Sequence, residues 1–278
     1  MKAVQYTKSI PRYLAVRALS SRARGAATGP LSLLRHADVD PPPLPSGRWI
    51  RVRTRLSGIC GSDLATVCAK GSPYFSPFIS TPFVLGHEVV GEVAETGADV
   101  EDVSVGDRIV IEPALHCTVR DISPVCQPCS RGRYAACENV LRGHLAPGIQ
   151  TGYCRDTGGG WSPEFVAHER QAVRVPDGVS DEAAVLIEPF ACALHGVLRA
   201  SVVPGQSVLI LGCGTIGLLT IAALRGLGFD NDILASAKHP RQKELALSLG
   251  ATAIVPTGAT LYDELPRATG ATVLHPEI

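Results

Sequence analysis

Between Trp49 and Pro113 the chain alternates short apolar or β-branched runs with turns. "WIRVRTRLSGIC", "VVGEVAE" and "DRIVIEP" carry strand-like patterns, each bounded by Gly, Pro or Asp. "MKAVQY" at the N-terminus opens in the same way. "DVDPPPLPSG", ahead of Trp49, is a proline-rich connection, and "TGADVEDVSVGD" (96–107) is a turn-rich link between two strands. The texture changes after "VRVPDGVSDEAA". Ser180 is suited to cap a helix, with Asp181 and Glu182 in the first turn, where the helix dipole favours acids. "SVLILG", "TIGLLTIAALRGLG", "DILAS" and "PRQKELALSLGA" then read as strand, helix, strand, helix, the order of βαβ units on a parallel sheet. The expected class is α/β, with a β-rich domain over 1–185 and a parallel-sheet domain over 186–278.

Charge narrows the function. Lysine plus arginine (26) balances aspartate plus glutamate (26), so no global field favours nucleic acid or an anionic membrane. The stretch from Ala200 to Leu224 is uncharged, but Pro204 and its four glycines divide it into a strand, a turn and a helix start rather than a membrane span. Residues 8–37 hold basic residues and no acid. That pattern fits a transit leader or a long surface loop, and the strand-like opening before it favours the loop. A cytoplasmic protein is expected. Nine cysteines without a secretion signal point to metal ligands rather than disulfides.

"GCGTIG" (212–217) matches the dinucleotide-binding pattern, directly after an apolar strand and opening a helix. Gly212 allows the tight turn, Gly214 lets a pyrophosphate approach the backbone, and Gly217 lets helix and strand pack closely; Thr215 and Ile216 complete the candidate loop. An NAD site places an acid at the end of the second strand. Here Ala237 stands there, followed by Lys238, His239, Arg241 and Lys243. Those cations suit a 2′-phosphate, or are solvated charges at a helix start; NADP is favoured over NAD.

"GICGSD" (58–63) and "LGHEVVGEV" (85–93) bring Cys60 and His87 into the β-rich part, a thiolate and an imidazole that zinc accepts readily. With glycines 86, 91 and 97 at fixed offsets, the sequence resembles the zinc-dependent, medium-chain alcohol dehydrogenases from Met1 through at least Ala253. The resemblance implies a GroES-like catalytic domain joined to a Rossmann domain. It implies Cys60 and His87 as catalytic zinc ligands, Glu88 as a neighbouring or alternative ligand, and Glu188 of "LIEPFACALH" as the third. A glutamate there, with "CGSD", is similar to the sorbitol and threonine dehydrogenase branch. One thiolate, one imidazole and one carboxylate leave a near-neutral metal with an open position, able to acidify an alcohol as hydride leaves for NAD(P). Ser62 aligns with the family's proton-relaying hydroxyl; a helix N-cap is the equal alternative. His195 is read as packing.

Two departures stand out. Ala65 replaces a histidine common in the polyol branch, and the family extends further than Ile278, through the rest of its Rossmann sheet. The expected activity is hydride transfer between a secondary alcohol, polyol or sugar derivative and NAD(P), in a homodimer or homotetramer; a non-catalytic zinc- and nucleotide-binding module is the alternative.

"CTVRDISPVCQPCSRGRYAAC" (117–137) holds Cys117, Cys126, Cys129 and Cys137. Cys126-x2-Cys129 sets two thiolates close enough to share one ion. In the family the first ligand lies two residues ahead of the second, where Ser123 stands here. Cys117 then serves as first ligand if six residues are inserted, and loop entropy rises slowly enough to allow that. A closed, anionic structural zinc site is expected.

Overall fold

The structure, a computed structural model, describes residues 1–20, 25–272 and 274. It divides into two compact units, Met1–Glu188 and Pro189–Ile278, three residues beyond the 185/186 division read from texture.

The first unit begins with β1 (Lys2–Tyr6), α1 (Ile10–Leu19) and β2 (Leu34–Asp38). The long loop expected over 8–37 is therefore wrong in large part. Ser9 precedes a proline at the start of α1, which suits a helix start. Val16 is fully buried, and Arg17 and the Tyr13 hydroxyl both donate to the Gly71 carbonyl. Tertiary contacts fix a helix whose basic surface reads as a tail.

The chain continues through β3 (Trp49–Ser57), α2 (Gly61–Val67), β4 (Phe83–Val84), β5 (Val89–Thr96), β6 (Arg108–Ile111), α3 (Gln127–Ser130), β7 (Glu164–His168) and β8 (Ala172–Arg174). Antiparallel pairing builds a five-stranded sheet ordered β7-β3-β5-β6-β8 and a smaller one ordered β2-β1-β4. In β3, Ile50 and Val52 enter a core with Val89, Val93, Ile109 and Phe165. Truncating one of these large side chains to Ala costs about 2–5 kcal/mol. On the other face Arg51 pairs with Glu95 at 2.8 Å, and Arg53 and Arg55 reach Glu92. This period-two division is what made the strands legible.

Next come α4 (Asp181–Ala184) and α5 (Ile187–Arg199). Ser180 caps α4, its hydroxyl accepting from the Ala183 N–H at 3.3 Å. Asp181 is gripped by Arg55 at 2.8 Å and Arg108 at 3.2 Å, while Val179, Val185 and Ile187 pack on Val90 and Val110. These contacts set the start of α5, and with it Glu188.

The second unit continues through β9 (Val208–Leu211), α6 (Thr215–Gly226), β10 (Ile233–Ser236), α7 (Pro240–Ser248), β11 (Ala253–Val255) and α8 (Thr260–Thr269). Its described strands are parallel in the order β11-β10-β9. Ile210, Ile221, Leu224, Ile233 and Ala246 form its core. His195 on α5 is exposed, against the packing role expected for it. Among the described residues no helix is long and apolar enough to cross a membrane, and the uncharged stretch at 200–224 resolves into a loop, β9 and the start of α6.

Candidate metal and dinucleotide sites

Cys60 is the N-cap of α2. The Asp63 carboxylate accepts from the Cys60 N–H at 3.0 Å, and the Cys60 sulfur accepts from the Asp63 N–H, a reciprocal capping box. Ser62 therefore does not cap the helix; it lies in the first turn, exposed, with its hydroxyl 3.4 Å from His87 Nε2.

Asp63 has a second task that the sequence reading missed. It is fully buried, and its other oxygen faces His87 Nδ1 at 3.4 Å. Neither of those two atoms has a closer hydrogen-bond partner. A proton on Nδ1 pointing at Asp63 leaves the Nε2 lone pair on the side of Cys60 and Ser62, the orientation a metal-binding imidazole takes from a carboxylate behind it. Cys-x-x-Asp was the available signal.

The electrostatics agree. Burial opposes charge on His87, but the bonds to Asp63 and Cys60 prevail and raise it to about 10. Cys60 is lowered, chiefly by its bond to His87. A thiolate and a carboxylate around one imidazole favour a cation there, whether proton or metal. The donor set fits zinc.

Tyr153 packs beside His87. It is buried, its ring 5.9 Å from that of His87 and its hydroxyl 3.0 Å from Thr66 Oγ1. Thr66 in turn donates to the Ser62 carbonyl at 2.9 Å.

The two glutamates do not converge tightly on this pair. The Glu88 carboxylate rests on Gly58, where a Cβ would come within 2.1 Å of its Oε2 and push the carboxylate aside. Glu188 lies in the first turn of α5, and its charge helps to raise Glu112, on which burial acts first. Neither carboxylate joins Cys60 and His87 in a group whose ligand atoms lie within 4.8 Å of one another; among the described residues the four lobe cysteines form that kind of group.

That quartet answers the spacing question: Cys117 joins the other three despite the eight intervening residues. Cys117 Sγ lies 3.7 Å from Cys137 Sγ and accepts from the Cys126 N–H at 3.4 Å and from Asn139 Nδ2 at 3.2 Å. Cys126 is drawn down to about 7, first by the Glu138 backbone, while burial pushes Cys129 and Cys137 up. Four sulfurs at this separation suit a tetrahedral Cys₄ metal, closed to substrate.

In the second unit Gly212 has φ +95°, and Gly214 is the N-cap of α6. A Cβ on Gly217 would stand 2.0 Å from the Gly212 carbonyl, whereas one on Gly214 would meet nothing within 4 Å. The first fact enforces close helix–strand packing, and the second leaves room for a phosphate against Thr215 and Ile216 at the helix start. Ala237 follows β10 and is buried; Lys238 is exposed, His239 caps α7 through Gln242, and Arg241 pairs with Glu244 at 2.8 Å.

The alcohol dehydrogenase GroES-like domain matches residues 46–177. Sorbitol dehydrogenase of Bacillus subtilis (strain 168) is 31% identical over 74% of this chain and 53% of its own length. The chain belongs to the zinc-dependent, medium-chain alcohol dehydrogenase family. The fold agrees with family members of known structure. The crystal structure of 2R,3R-butanediol dehydrogenase from Bacillus subtilis superposes with a TM-score of 0.69 at 28% identity, covering 97% of this chain and 67% of that one. A zinc-binding dehydrogenase from Sinorhizobium meliloti 1021, bound to NADP, gives 0.65 at 30% identity, covering 80% of this chain and 58% of that one. The chain spans about half the length of the sorbitol dehydrogenase it matches.

Proposed function

We propose that the chain is the catalytic and dinucleotide-binding part of an oxidoreductase that moves hydride between a secondary alcohol or polyol and a nicotinamide dinucleotide. The single observation carrying this reading is the Cys60–His87 pair with Asp63 buried behind it. Cys60 and His87 hold zinc, with Glu188 as third donor and Glu88 in reserve. Asp63 fixes the imidazole tautomer. Zinc at this pair supplies a Lewis acid that acidifies the alcohol, and the nicotinamide supplies the hydride acceptor. The substrate carbon gives up hydride and its oxygen gives up a proton. Ser62 accepts that proton and, being exposed, returns it to water. The four lobe cysteines hold a second, structural zinc.

Gly212, Gly214, Thr215, Ile216 and Gly217 seat the pyrophosphate. With Ala237 in place of an acid, Lys238 is the cation for a 2′-phosphate, so NADP is preferred to NAD. Arg241 contributes less, being paired to Glu244. The assembly in the cell is a homo-oligomer of cytoplasmic location.

The test is a zinc-loaded chain offered a panel of secondary alcohols and polyols with NADP and, separately, NAD. Reduction of NADP that disappears in Cys60→Ser supports the proposal. NADP binding without hydride transfer to or from any substrate would make the chain a binding module instead. Better use of NAD than NADP would overturn the role of Lys238.

A further inference from the structure

The spacer between Cys117 and Cys126 contains the most deeply buried charge in the lobe. Arg120 is fully buried. Its Nε donates to the Leu115 carbonyl at 2.9 Å, Nη1 to Arg142 and Leu145 at 2.9 and 3.1 Å, and Nη2 to Ala146 and Gly148 at 3.2 and 2.7 Å. A guanidinium has five N–H donors, so every one is used. All five acceptors are neutral carbonyls, which satisfy its hydrogen bonds and leave its charge to be balanced at longer range. The groups acting on it electrostatically are the Cys154, Cys137 and Cys117 thiols and Asp156. Two of those thiols belong to the quartet.

The spacer is folded rather than slack. The Cys117 carbonyl accepts from the Arg120 and Ile122 N–H groups at 3.1 and 3.0 Å, and Asp121 takes a left-handed conformation at φ +52°. From there its carboxylate faces His144 Nδ1 at 3.4 Å and His168 Nε2 at 4.0 Å. The segment 142–148 is pressed against this turn. A Cβ on Gly143 would lie 2.6 Å from the Arg120 carbonyl and 3.0 Å from its Cβ. Two adjacent spacer residues thus grip the same segment from two sides, and the turn they stabilise carries Cys117.

We propose that Arg120 is a positioning residue of the lobe's metal site: it clamps the spacer so that Cys117 is preset as a ligand, and its buried positive charge offsets the anionic tetrathiolate centre. The inference rests on reading the lobe as a metal site. A divalent ion with four thiolates carries a net charge of about −2, for which a buried guanidinium is a fitting neighbour. The spacer therefore brings both the mechanical and the electrostatic support for the ligand it follows.

Cobalt(II) replaces zinc as the probe, because thiolate-to-cobalt charge transfer reports sulfur ligands directly. Wild type should show the intense band of a four-thiolate site. Arg120→Met should bind cobalt at that site at least about 10-fold more weakly, the lower range for loss of an outer-shell partner. Arg120→Lys keeps the charge with at most three donors and should fall between them. If Arg120→Met does not fold, the Arg120→Lys shift decides. Wild-type cobalt affinity in the folded variants, whatever their melting temperatures, would overturn the role of Arg120. No four-thiolate band in wild type would overturn the metal reading itself, and the proposal with it.

Discussion

In the lobe, four thiols come from residues 117–137 and meet through short-range turns, whereas Cys60, Asp63 and His87 come from a helix N-terminus and a strand edge. The lobe keeps its ligands near one another in the chain, and Asn139, two residues past the last of them, donates to Cys117 Sγ. The Cys60–His87 pair is scattered, and a buried residue aims it: Asp63 has no solvent exposure and holds both the Cys60 backbone and the His87 ring. A contiguous set is legible as spacing. Cys60 and His87 of the scattered set were legible through their motifs, and Asp63 behind them only once the fold had placed it.

The contrast can be broken at several points. The largest effect is expected in the lobe. A structural zinc is worth about 10–16 kcal/mol in small peptides, so Cys129→Ser should lose one metal per chain by mass and expose 117–148 to protease. Retention of two metals would remove the lobe from the comparison. Cys60→Ser should abolish alcohol-dependent NADP reduction while leaving the melting temperature close to wild type; residual turnover would unseat the reactive pair. Asp63→Asn should weaken catalytic metal binding or turnover by about 10–100-fold, with lobe metal content unchanged. An equal loss of both metals would mean that Asp63 supports the fold rather than His87.

The smallest effect is a pH dependence. Burial holds His168 below its ordinary 6.5 and His116 at about 4. The unfolded chain therefore binds more protons as pH falls from about 6.5, and stability must drop with it. Glu169 is lowered despite burial, which opposes the shift, by the Glu101 and Asp102 N–H groups and Arg48. Its contribution is present above 4.5 and is lost as pH falls through its lower folded value. The zinc-loaded chain should lose melting temperature gently from pH 8, as unfolded thiols take up protons that bound thiolates cannot, and more steeply below about 6.5. A flat profile down to pH 5 would contradict these assignments.

Much of this was readable before the fold was known. Period-two runs located β3, β5 and β6, and "GCGTIG" located the turn between β9 and α6. The misses share a cause. α1 is stabilised by contacts to Ala69 and Gly71, more than 50 positions away. Arg120 drew no reading from the sequence, because nothing local announces five carbonyls converging on it. For Ser62 the sequence left relay and helix cap equal, and the Asp63 bond back to Cys60 removes the cap by starting the helix two residues earlier.

The hydroxyls beside His87 have a direction. Thr66 has a single proton, and it goes to the Ser62 carbonyl. In the 3.0 Å contact between Thr66 and Tyr153 the phenol must then be the donor. The donation therefore runs one way, from Tyr153 through Thr66 to the Ser62 carbonyl, and ties the first turn of α2 to the segment that carries Tyr153.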